Sequence, residues 1–123
     1  MTSNDWVDPT ELLQRMYTAF NSRNIDELLA TMSPDVDWPD MIEGTRLHGP
    51  AQVRTYWLRQ FDTIDPHVEP QGFTLDPDGR IITDVHQVVR NHAGETLADQ
   101  MVQHVYTIRN GLIERMDVQT VEQ

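Results

Sequence analysis

The chain of 123 residues contains no cysteine. That absence excludes disulfides, a thiolate nucleophile and Cys-ligated zinc, and nothing else in the sequence calls for an oxidising compartment. Positive charge is scarce as well: nine basic residues against 20 acidic ones give a formal net charge of −11. The basic residues are scattered rather than clustered, and nucleic acid and anionic membrane both require a positive footprint, so neither is an expected partner. No apolar run approaches the length of a membrane span, and residues 1–8 are polar and acidic without a signal-like core. A soluble, cytoplasmic protein is the expectation. Repeats, low-complexity tracts and linkers are also missing, so residues 1–123 read as one domain with one core, with 1–7 as a flexible tail.

What is present suffices for a packed interior: 38% hydrophobic residues, with three Trp, three Tyr and three Phe. The last third of the chain predicts a β-meander. Runs 80–90, 95–109 and 112–121 are rich in Val, Ile, Thr and Tyr and are divided by Asn91-His92-Ala93-Gly94 and by Asn110-Gly111. Asn-Gly between apolar runs is a strong hairpin signal, because both residues tolerate the positive φ of a type I′ turn. Upstream, Asp8-Pro9-Thr10-Glu11 reads as a helix start with Asp8 as N-cap, and Leu12, Leu13, Met16, Ala19 and Phe20 form one apolar stripe to about Asn21. Tyr17 borders that stripe, either filling the core edge with its hydroxyl in water or pointing its donor into a cavity. A second helix capped by Asn24 runs to about Met32. A short strand at 36–38 and an irregular loop to Gly49 follow.

Pro50 starts a third helix, in which Val53, Trp57 and Phe61 repeat every four residues. Residues 68–75 form a weaker strand, whose Pro70 indicates an edge or a bulge. Helices first and strands last predict an α+β domain, with three helices covering one face of an antiparallel sheet.

Several polar residues interrupt this pattern. Asp40 lies in a loop between apolar neighbours, Trp38, Pro39 and Met41. A carboxylate there loses solvation and becomes able to take and return a proton; the plainer alternative is an exposed loop aspartate. On the meander, Asp84 and His86 share one strand face, and Val102, His104 and Tyr106 share a face of the next. If His86 pairs opposite Gln100, then His86, Gln100, His104 and Tyr106 form one hydrogen-bonding cluster, with Asp84 placed to orient an imidazole. A slip of one residue reverses this and sends part of the set to solvent or a subunit interface. Met116 and Val118 alternate on the last strand as apolar wall, and Trp38 and Trp57 serve as core or as ligand platform. The His and acid spacings do not make a metal site, and neither Ser22 nor Ser33 sits in an elbow-like Gly context, so no metal and no serine nucleophile are assigned. No cofactor is expected.

The order of elements and several local phrases resemble the SnoaL-like branch of the NTF2-like superfamily, whose members include ketosteroid isomerases and polyketide cyclases. The phrases are Tyr17-Thr-Ala-Phe-Asn-Ser-Arg-Asn-Ile-Asp-Glu-Leu-Leu-Ala-Thr-Met32, Asp35-Val-Asp-Trp38, Leu47-His-Gly-Pro50 and His104-Val-Tyr-Thr-Ile-Arg-Asn-Gly-Leu-Ile113. The resemblance implies a cone: a strongly bent sheet wrapped round a long helix, a pocket at the open end, and a homodimer through the outer sheet face. It places Asp40 where ketosteroid isomerases carry their proton shuttle. Their oxyanion tyrosine falls on Met16, one residue from Tyr17, and their second oxyanion donor falls on His104 or Gln103, neither of which is an acid.

Three functions follow as expectations. The first is proton transfer on a ketone-bearing apolar substrate, with Asp40 as shuttle and His104 and Tyr106 as catalytic partners, and with Tyr17, Trp38, Trp57, His86, Gln100, Val102, Met116 and Val118 lining the substrate site. The second is a non-catalytic module that binds a small hydrophobic molecule or dimerises. The third, epoxide hydrolysis, needs an Asp-Arg-Asp cluster in the pocket.

Overall fold

The structure, a computed structural model, describes residues 9–120. The expected tail 1–7, the N-cap Asp8 and the strand end Val121 lie outside the described residues. The elements are α1 (Pro9–Asn21), α2 (Ile25–Ala30), β1 (Met32–Asp40), β2 (Thr45–His48), α3 (Pro50–Thr63), β3 (Asp65–Leu75), β4 (Ile81–Arg90), β5 (Thr96–Arg109) and β6 (Leu112–Thr120). As expected, the fold is α+β, with three helices packed on a curved, open sheet of six strands. The strand order is β2-β1-β6-β5-β4-β3. Only β1 and β6 run parallel; the other neighbours are antiparallel.

The helices form where the apolar spacing puts them. The α1 stripe of Leu12, Leu13, Met16, Tyr17, Ala19 and Phe20 is buried, and each large apolar side chain withdrawn from water stabilises the fold by about 1.5–3 kcal/mol. The Asn24 side chain accepts the Glu27 N–H at the start of α2. That helix stops at Ala30, before the expected end near Met32. There Thr31 turns its N–H and hydroxyl back to the Leu28 carbonyl, and its own carbonyl accepts the Ile113 N–H of β6 at 2.9 Å. Beyond α1, the Asn21 amide pairs with the backbone of Val68 in both directions, at 2.7 and 3.0 Å, and so fixes the helix end to β3.

One strand was read too short in the sequence and another was not read at all. β1 extends well beyond 36–38, and the loop read as irregular contains β2, with Asp37 to Asp40 paired to His48 to Thr45. Pro34 and Pro39 disguise the ends of β1 because proline cannot donate to a ladder. The chain accommodates both: the β1–β6 register shifts between Met32 and Asp37, spanning Pro34, and Pro39 faces Arg46 of β2. In β3, Pro70 lies on an edge strand beside a register shift between Pro70 and Gly72.

The meander forms as predicted, but its registers carry the consequence. Asn110 and Gly111 adopt φ of 54° and 74° between the paired residues Arg109 and Leu112, a two-residue hairpin. At the other hairpin Arg90 pairs with Thr96, Leu97 is then left over as a one-residue bulge, and Val89 pairs with Ala98. His86 therefore faces Met101 rather than Gln100. The expected pairing exists only at the hairpin's end, and the bulge reverses the parity of everything beyond it.

Candidate functional site

A cavity of about 470 Å³ lies between α1, α3, the end of β1 and the inner face of β4–β6. α1 contributes Met16, Tyr17 and Phe20 because residues three and four apart share a helix face. Trp38 and Pro39 close one side from β1. Tyr56 and Trp57 close another from α3. The floor follows from strand alternation: His104 lies opposite Val118 and Tyr106 opposite Met116, so the four share one face with Val102 and Gln100. Gln87 pairs with Gln100 on the same face.

The sequence-predicted residues separate cleanly. Tyr17, Trp38, Trp57, Gln100, Val102 and His104 all line the cavity, together with Tyr106, Met116 and Val118. His86 does not. The Leu97 bulge turns it to the outer face, where its Nε2 lies 2.6 Å from Asp99. Asp84 goes with it and accepts a hydrogen bond from Gln103 at 2.9 Å instead of orienting an imidazole. Asp40 is also absent from the cavity lining. Its Oδ1 accepts the N–H groups of Ile42 and Glu43, both at 2.9 Å, which folds the β1–β2 turn. It lies in a smaller depression with Gln52, Thr55 and Arg59, and Tyr56 is the residue that lines both spaces. The Tyr56 hydroxyl accepts the Met41 N–H at 3.3 Å. Burial raises the Tyr56 pKa, with a lesser contribution from the Asp40 charge.

Three of the cavity's polar side chains form one buried cluster, while Gln87 and Gln100 lie further along the sheet. Tyr17 Oη is 2.9 Å from His104 Nδ1 and 2.7 Å from Tyr106 Oη, and Tyr106 Oη is 3.3 Å from the same Nδ1. The Tyr17 and His104 rings stack at 6.0 Å, and Tyr106 meets both edge-on. All three residues are buried. Burial lowers the His104 pKa from 6.5 to about 4 and raises those of Tyr17 and Tyr106 above the usual tyrosine range. At neutral pH the cluster is uncharged, so it offers hydrogen bonds rather than an ion partner. Tyr17 thus has its hydroxyl tied into the site rather than resting in water.

The residues that sequence reasoning missed include Met16, Phe20, Tyr56, Gln87 and Met101, with Pro39, Met41 and Val68. Met16 and Phe20 were visible as core; their α1 stripe simply continues past the core into open space. Gln87 required the register. The Asp-Arg-Asp arrangement that epoxide hydrolysis would need does occur, but away from the cavity. Arg46 bonds Asp37 at 2.6 Å and Asp117 at 3.3 Å, and Arg115 bonds the same two acids at 2.8 and 2.9 Å. Asp37 and Asp117 alternate with the cavity residues Trp38, Met116 and Val118, which puts this lattice on the outer face. Among the described residues no group of three or more His or acids is arranged to hold a metal ion, and no helix is long and apolar enough to cross a membrane.

The sequence model of the SnoaL-like domain matches residues 13–116. No curated protein matches the chain. Similar solved structures include TerC co-crystallised with polyporic acid (23% identity, 92% of this chain and 91% of that one, TM-score 0.79). An NTF2-like protein of unknown function from Burkholderia pseudomallei has 23% identity, coverages of 94% and 92%, and a TM-score of 0.80. A Mycobacterium tuberculosis protein in complex with estradiol-17β-hemisuccinate has 16% identity, coverages of 89% and 92%, and a TM-score of 0.77. At these identities the likeness is one of fold.

Proposed function

The chain belongs to the SnoaL-like domain family, and from that premise we propose that its cavity binds one small, largely apolar molecule whose polar end meets the Tyr17–His104–Tyr106 cluster. The observation that carries this reading is the make-up of the cavity: one buried cluster of neutral hydrogen-bonding groups, Gln87 and Gln100 further along the sheet, and a lining that is otherwise mostly aromatic, methionine and valine side chains. The volume of about 470 Å³ falls within the roughly 300–1,000 Å³ usual for ligand sites. Two proteins of the same fold crystallised with polyporic acid and with estradiol-17β-hemisuccinate support the same class of ligand. Calorimetric titration with benzophenone and with estradiol-17β-hemisuccinate tests it. One-to-one binding that is lost in Val118→Trp, with the variant's melting temperature retained, is expected. Failure of both probes to bind the unaltered protein would overturn the reading.

Proton transfer on a ketone-bearing ligand is the second reading, and the position of Asp40 favours it. Asp40 lines the smaller depression, and Tyr56 is the side chain that borders both that space and the cavity. Deuterium exchange at the α-carbon of α-tetralone measures this directly. The reading requires exchange above the solvent rate that Asp40→Asn abolishes while binding stays within about twofold; equal exchange in both proteins contradicts it. Self-association belongs to the same proposal. The outer sheet face carries half-buried Ile82 and Val88 among polar residues, a mixed surface suited to a second copy, and sedimentation equilibrium decides between one copy and two.

A further inference from the structure

Away from the Tyr17–His104–Tyr106 cluster the cavity has a second polar place. Half-buried Gln87 and exposed Gln100 line it from adjacent strands, and Gln100 Nε2 donates to Gln87 Oε1 at 3.5 Å, the long limit of a hydrogen bond. The Leu97 bulge puts them there. With it, Gln87 pairs with Gln100 on the inner face, and Asp99 turns outward to His86 at 2.6 Å. An unbroken ladder continuing from Arg90 and Thr96 would set the Asp99 carboxylate opposite Gln87 instead. The same row continues to Val68 of β3, whose backbone the Asn21 amide holds at 2.7 and 3.0 Å, so the end of α1 is tied to it.

Each of the two amides carries both a donor and an acceptor, and one long mutual bond leaves most of that capacity unused. Among the described residues that line the cavity none is Asp, Glu, Lys or Arg, and burial keeps His104 uncharged at neutral pH. No counter-ion therefore awaits a charged group, and the net charge of −11 further disfavours an anion. On β5, Gln100 and His104 stand four residues apart on one face, roughly 13 Å along the strand. Val102, 5% exposed, lies between them as apolar wall. We propose that Gln87 and Gln100 form a second binding subsite, which takes an uncharged group able both to donate and to accept, a hydroxyl or a carboxamide, at the far end of the ligand. The ligand is then an elongated neutral molecule with an apolar middle against Val102 and polar groups about 10 Å apart. This assignment rests on the binding proposed above. Water competes for the amide of exposed Gln100, so the gain from the second polar contact is modest.

Calorimetry at pH 7 compares three probes built on one rigid apolar body: 4-hydroxybiphenyl, 4,4′-dihydroxybiphenyl and 4′-hydroxybiphenyl-4-carboxylate. The diol is expected to bind roughly 3–10-fold more tightly than 4-hydroxybiphenyl, and the carboxylate no more tightly than it. Neither glutamine belongs to the core, and in Gln87→Leu/Gln100→Leu the diol's advantage is expected to fall to about twofold or less, the statistical factor for two equivalent ends. In the native sequence, the side-chain amide nitrogen–proton signals of Gln87 and Gln100, identified by their loss in the single variants, are expected to shift as the diol saturates the protein. A gain that persists in the double variant, or amide signals that stay in place at saturation, overturns the subsite. Tighter binding of the carboxylate overturns the neutral class. If 4-hydroxybiphenyl itself fails to bind, the binding reading falls and the subsite with it; if it binds and the diol gains nothing, the subsite alone falls.

Discussion

Tyr17 Oη lies 2.9 Å from His104 Nδ1, a bond that joins α1 to β5 across 87 positions of sequence. It closes the helix onto the sheet at the buried polar cluster of the cavity, so fold stability and site geometry depend on the same hydroxyl. Tyr17→Phe keeps the ring and deletes both hydroxyl contacts. It is expected to lower the unfolding free energy by about 1–3 kcal/mol, read from urea denaturation at pH 7. An unchanged denaturation midpoint would mean that the bond contributes nothing.

The pH dependence follows from His104. Its pKa is about 4 in the folded chain against 6.5 when solvated, so between those values the unfolded chain binds the proton and the folded chain resists it. The stability is complete above pH 6.5 and declines as the pH falls towards 4. At about 1.4 kcal/mol per pH unit the loss is on the order of 3 kcal/mol. Urea titrations across this window are expected to fall more steeply for the native sequence than for His104→Gln; parallel curves would contradict the burial of the imidazole.

The two histidines of the meander give a sharp contrast. His86 is 42% exposed at its side chain and paired only with Asp99 on the outer face, so His86→Ala is expected to change stability by no more than about 0.5 kcal/mol. Ligand affinity should stay within about twofold. The same substitution at His104 should weaken the ligand by at least about tenfold, since it removes a ring that lines the cavity and takes from the Tyr17 hydroxyl one of its partners. Calorimetry on the two variants checks both.

Arg46 provides a prediction remote from the cavity. Its guanidinium bonds Asp37 and Asp117 and donates to the carbonyls of Asp37 and Met116, tying β2 and β1 to β6. Arg46→Met is expected to cost about 1–3 kcal/mol, because it removes the donor to the Asp37 and Met116 carbonyls and leaves Arg115 as the remaining cation for the two partly buried acids. Arg54→Met breaks only an exposed pair with Asp26 and is expected to cost less than about 0.5 kcal/mol. Thermal denaturation of the two variants makes the comparison.

These contrasts also show which parts of the molecule were legible from the residues alone. Asn110-Gly111, Pro50 and the α1 stripe declare themselves, because each encodes a local conformation or a repeating face. Pro34 and Pro39 concealed a strand because propensity counts missing donors, whereas a ladder can bend around them. The register of β4 against β5 turns on Leu97, whose side chain gives no sign that it will be the extra residue of a bulge. Loop chemistry also left the direction of Asp40 undetermined: the carboxylate was free to cap its own turn, and Ile42 and Glu43 hold it there.

The central claim is that an apolar ligand sits among α1, α3 and the inner sheet face, and methionine methyl groups report on it directly. Met16, Met41, Met101 and Met116 line the cavity, while Met32 belongs to the core and does not. In protein labelled with carbon-13 at the methionine methyls and titrated with benzophenone, the signals of Met16, Met101 and Met116 are predicted to shift together and saturate at one equivalent, with Met32 unmoved. Saturable binding that leaves those three signals in place would contradict the account.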